Sequence, residues 1–326
     1  MTAFLAVALM LLGTNISHKP AEPVKKPTEL DLLVKSRRID QLRAKFLQAP
    51  NDDVRDDVRA AIIFVVREVH RECSKVHQEK TMSQPLEWPE YEHRGYIDLS
   101  RGERKRFNTL YAKHPPKDLF RPEMDNVFTQ LEFQLVVVVG EIDTSMVVTG
   151  CIILCDSTSW NSFVNNSVII ASSDVKVTPN VGTLTISNGR VDLAGYQDPV
   201  YSRGDIFIVA AKLPAKEYAE KNNMMPYYGE GKTADTGLTF FKLTDLGIRC
   251  KLAADKAIVV ESVKAGSPAE AGKMKAGDVL RLVNLRRAKA LDKVEELFRY
   301  AMMESPKAKV TVLRGKESLD LEILFP

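Results

Sequence analysis

Thr244-Asp245-Leu246-Gly247-Ile248-Arg249-Cys250 is the stretch that decides the fold, together with Val263-Lys264-Ala265-Gly266-Ser267-Pro268-Ala269-Glu270-Ala271-Gly272 and Lys275-Ala276-Gly277-Asp278-Val279-Leu280-Arg281-Leu282-Val283-Asn284. In the first, a glycine between two large aliphatic residues lets the backbone approach a ligand closely and turn N–H groups toward an anion. Working outward, residues 257–263 and 279–283 are short β-branched and aliphatic runs bounded by Gly, Pro and Asp, a strand signature. Residues 309–314, the pair Gly315-Lys316 and residues 318–323 read as a terminal hairpin with clean alternation in its second arm. Asp292-Lys293-Val294-Glu295 has capping-box spacing, and Val294, Leu297, Phe298 and Ala301 recur at i, i+3, i+4, i+7, so a helix of about three turns is expected. Strands with one longer helix beside an open sheet edge form a groove in which an extended peptide can add as a further strand.

Taken together, these motifs, in this order and spacing, resemble a PDZ domain of the bacterial kind attached to envelope proteases. The resemblance spans residues 238–326. It implies that the Leu246-Gly247-Ile248 loop receives the C-terminal carboxylate of a protein or peptide. The implied binding residues are Leu246, Gly247, Ile248 and Arg249, with Val294, Leu297 and Phe298 on the helix. Two departures concern loops: Lys273 is inserted before Met274, and Asn284 is followed by Leu285-Arg286-Arg287 rather than by glycine. Read without the family, Leu246-Gly247-Ile248 is also compatible with a plain strand start carrying a turn glycine.

Residues 126–212 change character to short strands that repeat about every sixteen residues. Val148-Thr149-Gly150-Cys151-Ile152-Ile153-Leu154-Cys155-Asp156 aligns with residues 164–172, residues 168–171 with 184–187, and residues 152–155 with 136–139; residues 206–211 look like one more copy. A unit this small cannot bury its own apolar face, so stacked rungs are expected. The region resembles a short right-handed parallel β-helix, with a β-sandwich as the alternative. Ile153, Ile169 and Thr185 should then stack on successive rungs. Cys151 and Cys155, about 13 Å apart on one strand, cannot bond each other and read as packing residues. Asp156, Asp174 and Asp192 are candidate carboxylates for sugar cleavage, but corner aspartates are also common turn formers.

Residues 29–125 read as a helical region in which two antiparallel helices occupy 29–80, broken at Ala49-Pro50-Asn51-Asp52, with Asp52 or Asp53 capping the second. That helix carries Val54, Val58, Ile62, Val65, Val66 and Val69 along one side. His70, Cys73 and His77 share a face at metal-ligand spacing, yet three ligands on one helix cannot close a tetrahedral site. Beyond lie a Pro- and aromatic-rich stretch, a helix from about Ser100 to Tyr111 and the basic cluster Arg101-Gly102-Glu103-Arg104-Lys105-Arg106. Residues 213–237 read as a linker.

At the start, residues 3–12 form an apolar run too short to span a bilayer but suited to a secretory signal, followed by a Lys/Pro-rich tether to residue 28. Export or membrane attachment is expected from it. The net charge of +3 over 326 residues gives no sign of a nucleic-acid partner. Four scattered cysteines make no disulfide framework. The motifs of trypsin-like and Ser-Lys proteases and the P-loop are absent, and no cofactor or metal is implied. The expectation is a multidomain, non-catalytic envelope scaffold: helical region, β-helix-like repeats and a peptide-binding PDZ-like domain. A substrate-recognition or regulatory partner of a protease is the alternative, and a polysaccharide-acting β-helix enzyme is a third, weaker one.

Overall fold

The structure is a computed structural model and describes residues 27–81, 88, 96–99, 130–132, 135–144, 147–178, 182–193, 206–212 and 236–326. The apolar run at 3–12, the helix expected from 100 to 111 with its basic cluster, and nearly all of the linker lie outside the described residues.

Three helices, not two, open the described chain: α1 (Glu29–Lys35), α2 (Ile39–Leu47) and α3 (Asp52–Thr81). Thr28 starts α1 with a reciprocal cap: its Oγ1 accepts from Asp31 N (3.1 Å) while its own N–H donates to the Asp31 carboxylate (2.8 Å). The extra break comes at Arg37, which sits in the left-handed region (φ 48°). Its guanidinium is anchored by Glu72 of α3 (2.8 and 2.7 Å) and by the Thr236 carbonyl (2.6 Å). The cap of α3 is Asn51, whose side-chain oxygen accepts from Val54 N (2.9 Å), rather than Asp52 or Asp53. Val58, Ile62, Val65, Val66 and Val69 form the buried stripe that the periodicity predicts, and Cys73 extends it; Val54, at the helix start, is exposed.

The middle of the chain is a parallel sheet system: β1 (Tyr96–Leu99), β2 (Gln130–Glu132), β3 (Leu135–Val138), β4 (Glu141–Thr144), β5 (Val147–Thr149), β6 (Ile152–Cys155), β7 (Ser157–Asn165), β8 (Val168–Ala171), β9 (Val175–Thr178), β10 (Thr183–Leu193) and β11 (Ile206–Lys212). One ladder runs β1-β3-β6-β8-β10-β11. Its register aligns Ile97, Val136, Ile153, Ile169, Thr185 and Ile208. Two further ladders join β2, β5 and β7, and β4, β7, β9 and β10. Every pairing among the described residues of this region is parallel, unlike those of an antiparallel sandwich. Strand β1 joins this sheet from within the stretch expected to be helical.

In β3, β6, β8 and β10 the main ladder is buried on both faces, as parallel sheets generally are. Leu135, Val137, Ile152, Leu154, Val168, Ile170, Leu184 and Ile186 share one core with α1, α2 and α3. Alternation along each strand puts Val136, Ile153 and Ile169 on the opposite face, and they too are buried. Cys155 lies beside Ala171 in register, Cys151 N donates to Ser167 Oγ (3.0 Å), and both cysteines are buried.

The C-terminal unit is an antiparallel sheet ordered β12 (Ile248–Leu252), β13 (Ile258–Val263), β14 (Val279–Val283), β16 (Lys307–Arg314) and β17 (Glu317–Leu324), with β15 (Arg286–Arg287) paired to β14. It carries the short helix α4 (Pro268–Ala271) and the longer α5 (Val294–Glu304). The insertion at Lys273 is absorbed by a single left-handed residue (φ 64°). Asn284 and Leu285 (φ 45° and 64°) make the two-residue turn between β14 and β15. The expected capping box at 292–295 is not formed. A 3-10 turn, Leu291–Lys293, occupies its place, and Glu295 instead accepts the backbone N–H of Leu243 (3.0 Å). Asp278 closes the turn into β14, accepting from Lys275 N (2.9 Å) and from Arg314 of β16 (2.7 and 2.8 Å).

Burial works to raise the Asp278 pKa, but the Arg314 guanidinium and the Lys275 N–H outweigh it and hold the carboxyl below the usual range. A depressed carboxyl stabilises the fold fully above its unfolded value of about 4 and loses that contribution as pH falls through the folded value. Wild type should therefore exceed Asp278→Asn in denaturant resistance at about pH 7, and the gap should shrink at about pH 3. A gap that stays constant between the two pH values contradicts this assignment.

The two units are joined by more than a tether. Ala44 and Val139 belong to the core of the C-terminal unit, while Leu42 and Phe46 on the same α2 belong to the other core. Beside them lies a buried, charge-balanced cluster of Asp40 and Arg43 from α2, Asp156 from the β6–β7 corner and Arg299 from α5. The Asp156 carboxylate receives Arg43 (2.8 Å), Arg299 (2.9 Å) and the Gly140 N–H (2.6 Å). Arg43 also donates to the Cys155 carbonyl (2.8 Å) and Ser172 Oγ (3.1 Å), while Asp40 accepts from Ser172 Oγ (2.5 Å) and Phe241 N (2.9 Å). Gln48 adds a bond to the Met302 carbonyl of α5.

Candidate peptide-binding site

The 3-10 turn Leu243–Leu246 leads into Gly247, which caps it in the left-handed conformation (φ 74°, ψ 23°). A Cβ at this position would lie 2.3 Å from Ser267 Cβ and 2.5 Å from its Oγ, so both the backbone angle and the space require glycine. Ser267 is fixed in turn as the N-cap of α4, accepting from Glu270 N (3.3 Å). Gly247 itself is tied down: its N–H donates to the Thr244 carbonyl (3.0 Å) and its carbonyl accepts from Lys264 N (2.8 Å). Leu246 and Ile248 on either side are buried in the core, which anchors the loop.

From this loop β12 runs along the edge of the sheet, paired among the described residues on one side only, to β13. The 3-10 turn Leu291–Lys293 lies next to β12, and the first turn of α5 lies near Leu243. The residues expected to form the site are thus brought together, in two roles. Val294 (1% exposed) and Phe298 (0%) are part of the core beneath, in the same cluster as Leu246 and Ile248, while Leu297 is half-buried. Arg249 is exposed, and the exposed Lys264 flanks the Gly247 turn, so two cations border the loop. Leu291 (38% exposed), Leu252 (52%) and half-buried Cys250 lie on β12 or the turn next to it and add apolar surface there. The sequence carries part of this as an alternation: Ile248, Cys250 and Leu252 fall on one face of a strand. Burial raises the Cys250 thiol to about 11, so it is a small apolar contact rather than a nucleophile at neutral pH.

The other candidates resolve differently. Asp156 belongs to the buried ion cluster, and Asp174 accepts from Arg190 N (2.8 Å). Asp156, Asp174 and Asp192 line one polar cleft of about 330 Å³ with Lys176 and with Lys293, Glu296 and Tyr300 of the C-terminal unit. His70 and Cys73 are buried on α3, with His70 edge-on to Trp88 at 5.2 Å. No group of three or more His, Cys, Asp or Glu able to hold a metal occurs among the described residues. No described helix is long and apolar enough to cross a membrane.

Residues 244–324 match the PDZ domain family. No curated protein matches the chain. Among solved structures, the PDZ domain of HtrA3, bound to a phage-derived ligand, is 24% identical, covering 24% of this chain and 81% of that one with a TM-score of 0.22. The HtrA-type protease AlgW with a decapeptide is 22% identical over 24% of this chain and 27% of that one, TM-score 0.20. The PDZ domain of EpsC from Vibrio cholerae, residues 219–305, is 21% identical over 26% of this chain and 100% of that one, TM-score 0.21.

Proposed function

We propose that the chain is a non-catalytic scaffold of the cell envelope whose PDZ domain binds extended peptides or protein C-termini by adding them to the edge of β12. The observation that carries this reading is the free edge of β12 beside Leu291–Lys293, starting at a glycine turn bordered by Arg249 and Lys264. Backbone pairing along the edge would supply affinity, and Leu252, Leu291, Leu297 and Cys250 would supply side-chain contacts. The two cations would favour a terminal carboxylate, with the Gly247 N–H itself already given to the Thr244 carbonyl. The parallel repeats, read as a short right-handed parallel β-helix, would act as a rigid spacer; the three parallel ladders support this. The apolar run at 3–12 supports the envelope location.

The test is fluorescence polarisation with a library of short peptides on the full chain, each with a free and an amidated C-terminus. Free carboxylates should bind at least about tenfold tighter, a difference of about 1.4 kcal/mol. Gly247→Val should remove most of the affinity, because a β-branched residue can neither adopt the turn nor clear Ser267. Indifference to amidation would remove carboxylate capture, and undiminished binding by Gly247→Val would move the site elsewhere.

A further inference from the structure

We propose that the peptide groove and the N-terminal body form one linked unit, in which docking of α5 onto α2 and the β6–β7 corner preorganises the groove, and peptide binding in return tightens the dock. This rests on the peptide reading above. Helix α5 has two jobs. The turn that precedes it, Leu291–Lys293, lies next to β12, its first turn reaches Leu243 through Glu295, and Val294 and Phe298 belong to the core that also holds Leu246 and Ile248. Its trailing half is buried all round: Arg299, Tyr300, Ala301, Met302 and Met303 have almost no exposed surface. Part of that burial comes from outside the PDZ domain. Arg299 reaches Asp156 (2.9 Å), Gln48 at the C-terminal cap of α2 donates to the Met302 carbonyl, and Ala44 of α2 joins the core.

The entry to the loop is held from the same side. The Phe241 N–H, just before the 3-10 turn, donates to Asp40 of α2 (2.9 Å), and Phe241 packs into the PDZ core. Helix α5 and the chain leading to the Gly247 turn are therefore both held from α2, the helix by Arg43 through Asp156 and Arg299, the chain by Asp40 directly at the Phe241 N–H. A groove whose walls are held before the ligand arrives binds at lower ordering cost. By linkage, whatever factor docking adds to peptide affinity, peptide adds to docking.

The experiment uses the full chain and two variants. Arg299→Met cuts the link from α5 while leaving Asp156 with Arg43 and the Gly140 N–H; Gln48→Ala removes a neighbouring link and serves if the first misfolds. Peptide affinity for Arg299→Met should fall at least about fivefold, the lower end of usual coupling between sites. Hydrogen exchange without ligand should quicken in β12 and α5 as well as in α2. On wild type, bound peptide should slow exchange in α2 as well as around β12. Unchanged or increased affinity overturns the proposal, as does faster exchange confined to α2 in the ligand-free variant. If wild type takes up no peptide while the ligand-free exchange still spreads to β12 and α5, the peptide reading falls and the mechanical linkage stands.

Discussion

Arg43→Leu is expected to lower the unfolding free energy by about 3–5 kcal/mol, the cost of leaving buried carboxylates without their partner. Arg43 is buried between Asp40 and Asp156, and its donors also satisfy the Cys155 carbonyl and Ser172 Oγ. Burial alone would lower its pKa; the two carboxylates outweigh that and raise it, so the guanidinium stays charged in the folded chain. Deleting it leaves Asp156 with Arg299 and the Gly140 N–H, and leaves Asp40 with only Ser172 and the Phe241 N–H among these partners. The exposed pair Lys307–Glu322 is the internal comparison: at 3.2 Å it has good geometry, yet Lys307→Ala should cost only about 0–1 kcal/mol. Denaturant midpoints of both variants decide the matter, and similar small losses would show that water reaches the cluster.

That cluster is also the part of the molecule least legible in the sequence. The PDZ region could be read because its signals are local. Gly247 needs a positive φ, Ser267-Pro268 starts a helix, and Asp278 closes a turn, each within a few residues. The sixteen-residue spacing could be read because these parallel strands pair residues sixteen apart, as from Ile153 to Ile169 and on to Thr185. The ion cluster has no such local trace. Arg43 meets Cys155 at a separation of 112 residues, and Asp156 meets Arg299 at 143. On α2, Asp40 and Arg43 look like the solvated face of an amphipathic helix until α5 and the sheet corner cover them.

The same limit explains the reading of α5. Periodicity correctly identified its apolar face, but periodicity cannot say whether such a face lines a groove or fills a core. Val294 and Phe298 fill the core, Leu297 is half-buried against it, and the exposed Leu291 belongs to the turn next to β12. Nor can periodicity say where a core ends: that of the PDZ region includes Ala44 and Val139 from elsewhere in the chain.

Ile169→Ala and Ile170→Ala should both be costly, each by about 2–5 kcal/mol, although the two side chains point to opposite faces of β8. In a sheet with one wet face, one of any such neighbouring pair is tolerated. Here Ile170 packs in the core shared with the helices, while Ile169 lies between Ile153 and Thr185 in the ladder on the other side, and both are buried. An exposed apolar residue gives the baseline: Phe64, on the outer face of α3, is 57% exposed, and Phe64→Ala should stay within about 0.5 kcal/mol. The chain has two tryptophans, Trp88 and Trp160, both ahead of the PDZ domain, so their fluorescence in a denaturant titration reports unfolding of the body that holds β8. A near-zero loss for Ile170→Ala would mean that the helices do not cover the sheet in solution. A near-zero loss for Ile169→Ala would mean that the far side of the ladder is open, and the stacked-rung interior would then have no basis.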